Sequence, residues 1–574
     1  MKETAQSLSG HYMQMTIAAT AKLLEAVFEL FVPLIVAGII NVGIAAGDAA
    51  FIWRQGALLL GLSVTGFLLA LVCQYYSAVA STALGQSLRT RLFRHILTLS
   101  HEQSGAFGAG MLTNIVTGDV RQIQAGLNLL LRLGVRMPFL AIGSMGMALL
   151  LNPGLGLIFV FVTLALSLLL FAIMRNIHTA YGRIQKDRDN LATRTRENLE
   201  GARVIRAFGR EQTEAHAFAQ AATALTNRII RVGRISALLG PISTVIINAA
   251  ILAIVWLGAG QTFAGHSNPG EIVALVSYMS TTLLALTVLA RLTVIFAQAS
   301  AAVRRVETVL TTPPDITDGA DITKRPESPT LSCKAVSFTY RNGAKAALTD
   351  ISFTLKKGET LGIIGPTGSG KSTLAHLIPR LAEATCGTVY VQGKSVQAYP
   401  LRDLRRKIGY VPQKPALFTG SVAHNLRLAA PTATDDQLWE ALQTAQADFV
   451  REMPEGLETM LHQGGQNLSG GQRQRLSIAQ ALVARPVLLV LDDACSALDS
   501  ITEAALHKAL SASAQETAIV QISQRAVALR RADQILVLQD GHAVGFGRHQ
   551  TLLETCTVYR EICHSQGLLE GQVI

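Results

Sequence analysis

Charge is scarce in this chain. Asp, Glu, Lys and Arg make up only 16% of its 574 residues, against 49% hydrophobic ones, and the mean hydropathy is positive. A disordered chain needs the opposite balance, so disorder is excluded and a membrane protein of several domains is expected. Aromatic residues are also few, at 6%. Within the apolar runs they are too sparse to form a stacking cage for a planar drug. Six cysteines, Cys73, Cys333, Cys386, Cys495, Cys556 and Cys563, include no C-x-x-C pair. They predict free thiols and no cysteine-held metal. Met1 to Ala18 lacks the basic cluster, short apolar core and small-residue cleavage site of a signal peptide, so the first long apolar run reads as a retained span.

Long apolar runs are abundant. Six stretches, near 20–46, 57–83, 127–151, 154–174, 237–260 and 270–297, reach the roughly 20 residues that a helix needs to cross a bilayer. The net charge of +11 could suggest nucleic acid, but the basic residues cluster in two long links between the runs. Links 84–126 and 175–236 carry Arg89, Arg91, Arg94, Arg121, Arg183, Lys186, Arg188, Arg203, Arg206 and Arg210, whereas the short links hold only Arg54. That asymmetry argues against nucleic acid as the partner and puts both termini and both long links in the cytoplasm. A bacterial cytoplasmic membrane is the expected location. Few breakers interrupt the long links, so the spans are expected to continue into the cytosol as helices. The exceptions are Gly105 to Gly110 and the turn before Asp187.

Ionisable side chains inside a span are costly and need a cavity, a partner or an interface. Glu25 and Glu29 lie one turn apart in the first span, and Arg132 and Arg136 do the same in the third. Glu29 and Arg291 are the candidates for a substrate cavity.

Composition changes between Thr311 and Thr330, where prolines and small polar residues mark a linker. The expected domains are 1–310, membrane-spanning; 311–330, linker; and 331–574, where β-branched runs alternate with helical patterns in the manner of an α/β domain.

This last segment carries the chemistry. The strand Leu361-Gly362-Ile363-Ile364 feeds Gly365-Pro366-Thr367-Gly368-Ser369-Gly370-Lys371-Ser372-Thr373 and then a helix. Glycines at this spacing let backbone N–H groups cradle phosphates at the positive end of the helix; Lys371 adds charge and Ser372 a hydroxyl for Mg²⁺. Asp492 closes the apolar strand Val487 to Leu491, where a carboxylate reaches Mg²⁺ through its water shell.

With Leu468-Ser469-Gly470-Gly471-Gln472 and the membrane-spanning half, these motifs make the chain resemble a half-transporter of the ATP-binding cassette family, of the exporter type. The resemblance implies a six-helix, all-α transmembrane domain with long cytosolic extensions, joined to an α/β P-loop nucleotide-binding domain. It implies ATP and Mg²⁺ as cofactors, with Tyr340 stacking on adenine and Gln413 contacting Mg²⁺ or the attacking water. Segments 110–120 and 197–208 resemble the family's coupling helices. Ser469, Gly470, Gly471 and Gln472 would contact ATP held by a partner subunit, and Asp499 would cross the dimer interface. Gln463 stands where many exporters have glutamate.

Two positions depart from the family's pattern. Asp493 stands where a catalytic glutamate polarises water, and its carboxylate is one methylene shorter. Gln524 replaces a histidine that contacts the γ-phosphate, and it cannot carry a positive charge. The chain therefore looks like the degenerate-site half of a heterodimer. Its expected partner is a non-identical half-transporter with the consensus glutamate and histidine; membrane lipid and a transported small molecule (drug, lipid or peptide) are the others. ATP hydrolysis would belong to the assembled dimer. Importing a metal chelate, or acting as a nucleotide-gated regulatory membrane protein, are the alternative readings.

Overall fold

The computed structural model describes residues 10–319, 329–341, 343, 345–513 and 517–568; side chains at 170, 173–179, 181, 239 and 500 are outside the description. The 320–328 part of the expected linker also lies outside the described residues. The chain divides into two compact units. One comprises 1–97 and 107–313, the other 98–106 and 314–574.

The first unit is helical. Its long helices are α1 (Tyr12–Ile44), α2 (Ala49–Ile96), α4 (Ala109–Leu151), α5 (Pro153–Glu200), α7 (Glu211–Phe263) and α8 (Pro269–Thr311). The short α6 (Ala202–Ala207) stands between α5 and α7, while α3 (His101–Phe107) lies between α2 and α4 in sequence and belongs, apart from Phe107, to the second unit. Local chemistry sets several starts. The Asp48 side chain accepts from Phe51 N to cap α2, and Asn152 caps α5 with Pro153 in the first helical turn. The core gathers Leu30, Met137, Leu140, Phe159, Ile254, Tyr278 and Met279. Tyr278 Oη donates to Leu30 O at 2.5 Å, tying α8 to α1. Phe67, Leu71, Leu164, Leu168, Leu252 and Trp256 are exposed on the outside, as a hydrocarbon environment permits.

Among the described residues five helices are long and apolar enough to cross a membrane: α1, α2, α4, α7 and α8. The remaining expected span, 154–174, falls in α5, whose apolar stretch Pro153–Leu169 is shorter and abuts the side chains outside the description.

The expected extensions of the spans are helical, as α2, α5 and α7 run for 48, 48 and 53 residues. Two details differ from the sequence reading. No turn precedes Asp187, because α5 continues unbroken through Gly182. The segment that leaves the first unit for the second is 98–106, upstream of the expected 110–120, which instead opens α4. Gly108 makes the break: its φ of 77° is a conformation that costs a side-chain-bearing residue.

Among the described residues, the second unit is built on a two-stranded ribbon of Gly420–Ser421 with Met460–Leu461 and on two larger sheets. An antiparallel one pairs β1 (Leu331–Phe338) with β2 (Leu348–Leu355) and β4 (Cys386–Val391). The other contains β3 (Thr360–Ile364), β5 (Ile408–Val411), β6 (Leu488–Asp492), β7 (Ala518–Ile522), β8 (Gln534–Gln539) and β9 (His542–Gly547), in the order β9-β8-β3-β7-β6-β5. Strands β8-β3-β7-β6-β5 are mutually parallel. Every residue of β6 and β7 is buried, which is why they read as unbroken apolar runs with a polar Gln521 inside β7.

Candidate functional site

Three adjacent parallel strands end together. Register pairs Ile522 with both Ile363 and Asp492, so the loops leaving β3, β7 and β6 emerge side by side at the carboxyl edge of the sheet. This is where open parallel sheets place ligands. A cavity of about 330 Å³ opens there, and its lining includes Tyr340, Gly368, Lys371, Ser372, Gln413, Asp492, Asp493 and Gln524.

The loop after β3 leads into α9 (Lys371–Leu377). A Cβ on Gly365 would sit 2.1 Å from Leu538 O, so only glycine fits there. Lys371 Nζ folds back over the loop, donating to Gly365 O at 2.9 Å and Pro366 O at 2.7 Å. Burial pulls its pKa down, against the pull of the two aspartates. Its ammonium is thus poorly hydrated and well placed to meet an anion.

Ser372 Oγ donates to Asp492 Oδ1 at 3.0 Å, and Tyr410 Oη donates to Asp492 Oδ2 at 3.5 Å. Burial raises the Asp492 pKa despite both hydrogen bonds. A hydroxyl and a desolvated carboxylate converging in this way form a hard oxygen donor set that fits Mg²⁺. Asp493 has φ 51°, in the left-handed region, and Gln413 Nε2 donates to its Oδ2 at 3.4 Å. Burial raises its pKa, with Asp492 adding to the effect. Gln524 is exposed within the lining, its backbone carbonyl accepting from Gln566 Nε2 at 2.7 Å. Tyr340 stands edge-on to Phe338, and its hydroxyl meets Thr373 Oγ1 at 3.0 Å.

Ser469 and its neighbours do not line this cavity. Ser469 caps α10 (Gly470–Val483) through a reciprocal pair: Gln472 N donates to Ser469 Oγ at 3.2 Å and Ser469 N donates to Gln472 Oε1 at 2.9 Å. Asp499 is likewise occupied locally, accepting from Thr502 N at 3.0 Å.

Sequence reasoning missed a set of residues behind Asp492. The His376 ring lies edge-on to Tyr410, with centroids 6.1 Å apart, and to His101, 5.7 Å away. His101 belongs to the 98–106 segment, which also joins this unit through Glu102 Oε1, accepting from Arg341 N at 2.9 Å. No motif marks these residues; only the fold brings them together.

In the first unit, Arg136 Nη2 pairs with Glu29 Oε2 at 2.6 Å and Lys22 pairs with Glu25 at 2.6 Å. Arg132 bonds Gln74 Oε1 at 2.9 Å, and Arg291 is exposed. The Glu29 carboxylate is therefore committed within its own unit. A separate cavity of about 480 Å³ between α2 and α4 has a mixed lining, in which Ser81, Arg89, Arg121, Gln124 and Asn128 supply the polar groups.

Two family models match: one described as "ABC transporter transmembrane region" over residues 15–286, and one described as "ABC transporter" over residues 348–496. An uncharacterized ABC transporter ATP-binding protein of Mycobacterium tuberculosis is 37% identical over 95% of both chains. An ATP-dependent lipid A-core flippase of Chromobacterium violaceum is 30% identical, covering 98% of this chain and 95% of its own. The solved structure of a bacterial Atm1-family ABC exporter with ATP bound superposes with a TM-score of 0.81 over 99% of both chains, at 22% identity.

Proposed function

This chain belongs to the ABC transporter family, with an exporter-type fold and an ATPase unit, and we propose that it is the poorly hydrolysing half of a heterodimeric exporter. One observation carries this reading. The two cavity positions that should drive hydrolysis hold Asp493 and Gln524, while the phosphate-binding groups around them are complete. Loop amides and Lys371 would hold the phosphates of ATP, Tyr340 its adenine, and Ser372, Asp492 and Gln413 the magnesium ion. Bound there, Mg²⁺ neutralises phosphate charge. The Asp493 carboxylate, shorter than a glutamate and tied to Gln413, supports slow activation of water. Loss of a positioned base typically costs ~10²–10⁴ in rate. Ser469 and Gly471, outside the lining of this chain's own cavity, would serve ATP held by a non-identical partner.

The cargo enters this reading as an amphipathic molecule, with Arg89 and Arg121 in the mixed cavity meeting its head group. Bacterial inner-membrane placement with six spans and cytoplasmic termini completes it.

The test is to introduce Asp493→Glu with Gln524→His. Turnover of the assembled complex should rise, or return when the partner's catalytic glutamate is removed. No gain in either background, or brisk ATP-driven transport by this chain assembled only with itself, would overturn the proposal.

A further inference from the structure

A second cluster of chemistry-bearing side chains lies outside the lining of the nucleotide cavity. Cys495, Glu503 and His507 each bring a ligand atom to within 4.8 Å of the others. Glu503 and His507 stand four residues apart on α11 (Ser500–Ser513) and so share one face, one turn apart. Cys495 comes from the loop between β6 and α11. Cys495 and Glu503 are each only 5% exposed.

Gln521 Nε2 lies 3.1 Å from His507 Nε2, and an amide nitrogen can only donate, so this ring nitrogen is the unprotonated one; a metal would take its lone pair by displacing the Gln521 amide. Burial, aided by Arg531, favours the neutral ring that a metal needs. Glu503 Oε2 meets Arg525 Nη1 at 3.0 Å, which leaves the carboxylate a second oxygen.

We infer that Cys495, Glu503 and His507 form a site for a borderline-soft divalent transition ion of the Zn(II) class, with water as fourth donor. One sulfur, one imidazole nitrogen and one carboxylate oxygen suit Zn(II) and not the hard Mg²⁺ of the nucleotide site. A thiolate and a carboxylate together offset the ion's charge. Arg525 can then stay on the second carboxylate oxygen, as the orienting hydrogen bond that metal-bound carboxylates usually receive. Burial pushes the Cys495 thiol up to about 12, so metal binding displaces its proton to solvent. The absence of C-x-x-C pairs hides such a site, because two of its ligands are spaced by a helical turn and only one is cysteine.

The location gives the site a consequence. Cys495 follows Asp493 by two residues, and Arg525 directly follows Gln524. An ion here ties the two loops that carry the hydrolytic positions to one helix.

The test is a Co(II) titration of the purified full chain carrying Cys386→Ser, which removes the one exposed thiol. A tetrahedral cobalt spectrum with thiolate-to-metal charge transfer should saturate at one ion per chain, survive excess Mg²⁺ and be displaced by Zn(II). Cys495→Ser should abolish the charge-transfer band, and His507→Gln should weaken binding at least about tenfold. Should those variants misfold, alkylation of Cys495 in the parent chain, read by mass spectrometry, must slow at least about tenfold when Zn(II) is present. A featureless titration, a band unchanged in Cys495→Ser, or alkylation indifferent to Zn(II) would overturn the site. None of these readouts depends on transport or on the identity of a partner subunit.

Discussion

Ser372 donates its hydroxyl proton to Asp492 Oδ1 across 3.0 Å, joining the first turn of α9 to the end of β6. The two side chains define where a magnesium ion would sit between nucleotide and sheet. Ser372→Ala should raise the Mg²⁺ concentration needed for half-maximal nucleotide binding roughly tenfold, about the worth of one hydrogen bond to a charged group. Fluorescent-nucleotide titrations at graded Mg²⁺ measure this, and chelating the metal should erase the difference between variant and parent. An unchanged Mg²⁺ requirement would remove Ser372 from the metal's surroundings.

Asp119, buried at 2% exposure, receives two hydrogen bonds from Arg305, at 2.8 and 2.7 Å. Removing the arginine strands a desolvated carboxylate. Arg305→Ala should cost about 3 kcal/mol of stability, the low end for a broken buried pair, because the guanidinium itself reaches solvent. Adding Asp119→Leu should recover most of the loss in thermal midpoint. A single variant as stable as the parent would show that the pair contributes little.

His549 Nδ1 lies 2.7 Å from Tyr559 Oη, and burial, aided by Arg530, lowers the histidine's pKa below its ordinary 6.5. The unfolded chain then binds this proton more readily than the folded one, so stability rises with pH through that window. The contribution is complete above about pH 6.5 and is lost as pH falls toward the folded value. Thermal midpoints should therefore drop between about pH 7.5 and pH 5.5. His549→Gln, which keeps a hydrogen-bonding group but no titration, should flatten the slope; equal slopes would dismiss His549 as the source.

Glu102 accepts from Arg341 N, and His101 touches the His376 ring that abuts Tyr410 and, through it, Asp492. Replacing both with alanine should leave ATP turnover without cargo within about twofold, since neither lines the nucleotide cavity. ATP-driven uptake of a fluorescent amphiphile into inside-out vesicles should fall several-fold. Uptake and turnover declining in equal proportion would mean that the segment serves stability alone.

The residues that line the cavity at the ends of β3, β6 and β7 were nearly all legible from sequence because they lie beside backbone features that short motifs encode. Gly365 must be glycine where Leu538 O approaches, and Asp492 must close a fully buried strand. The second unit's parallel strands were visible for the same reason, as apolar runs too short for helices. What escaped was lateral. His376 and His101 lie far apart in sequence and meet only after the fold is built. The position of the 98–106 segment was misjudged because Gly105 to Gly110 offers several places to break, and only backbone conformation selects Gly108. Gln521 looked unremarkable in sequence, yet within a buried strand it needs a partner, and His507 is that partner.

The reciprocal cap on α10 leaves Ser469 with a lone pair already engaged by Gln472 N and its own hydrogen still to give. A phosphate arriving from across a dimer seam would thus find its donor pre-aimed by folding, with little ordering left to do. The tempo of clamping would then follow how often the two halves meet, and hardly at all how fast this turn rearranges.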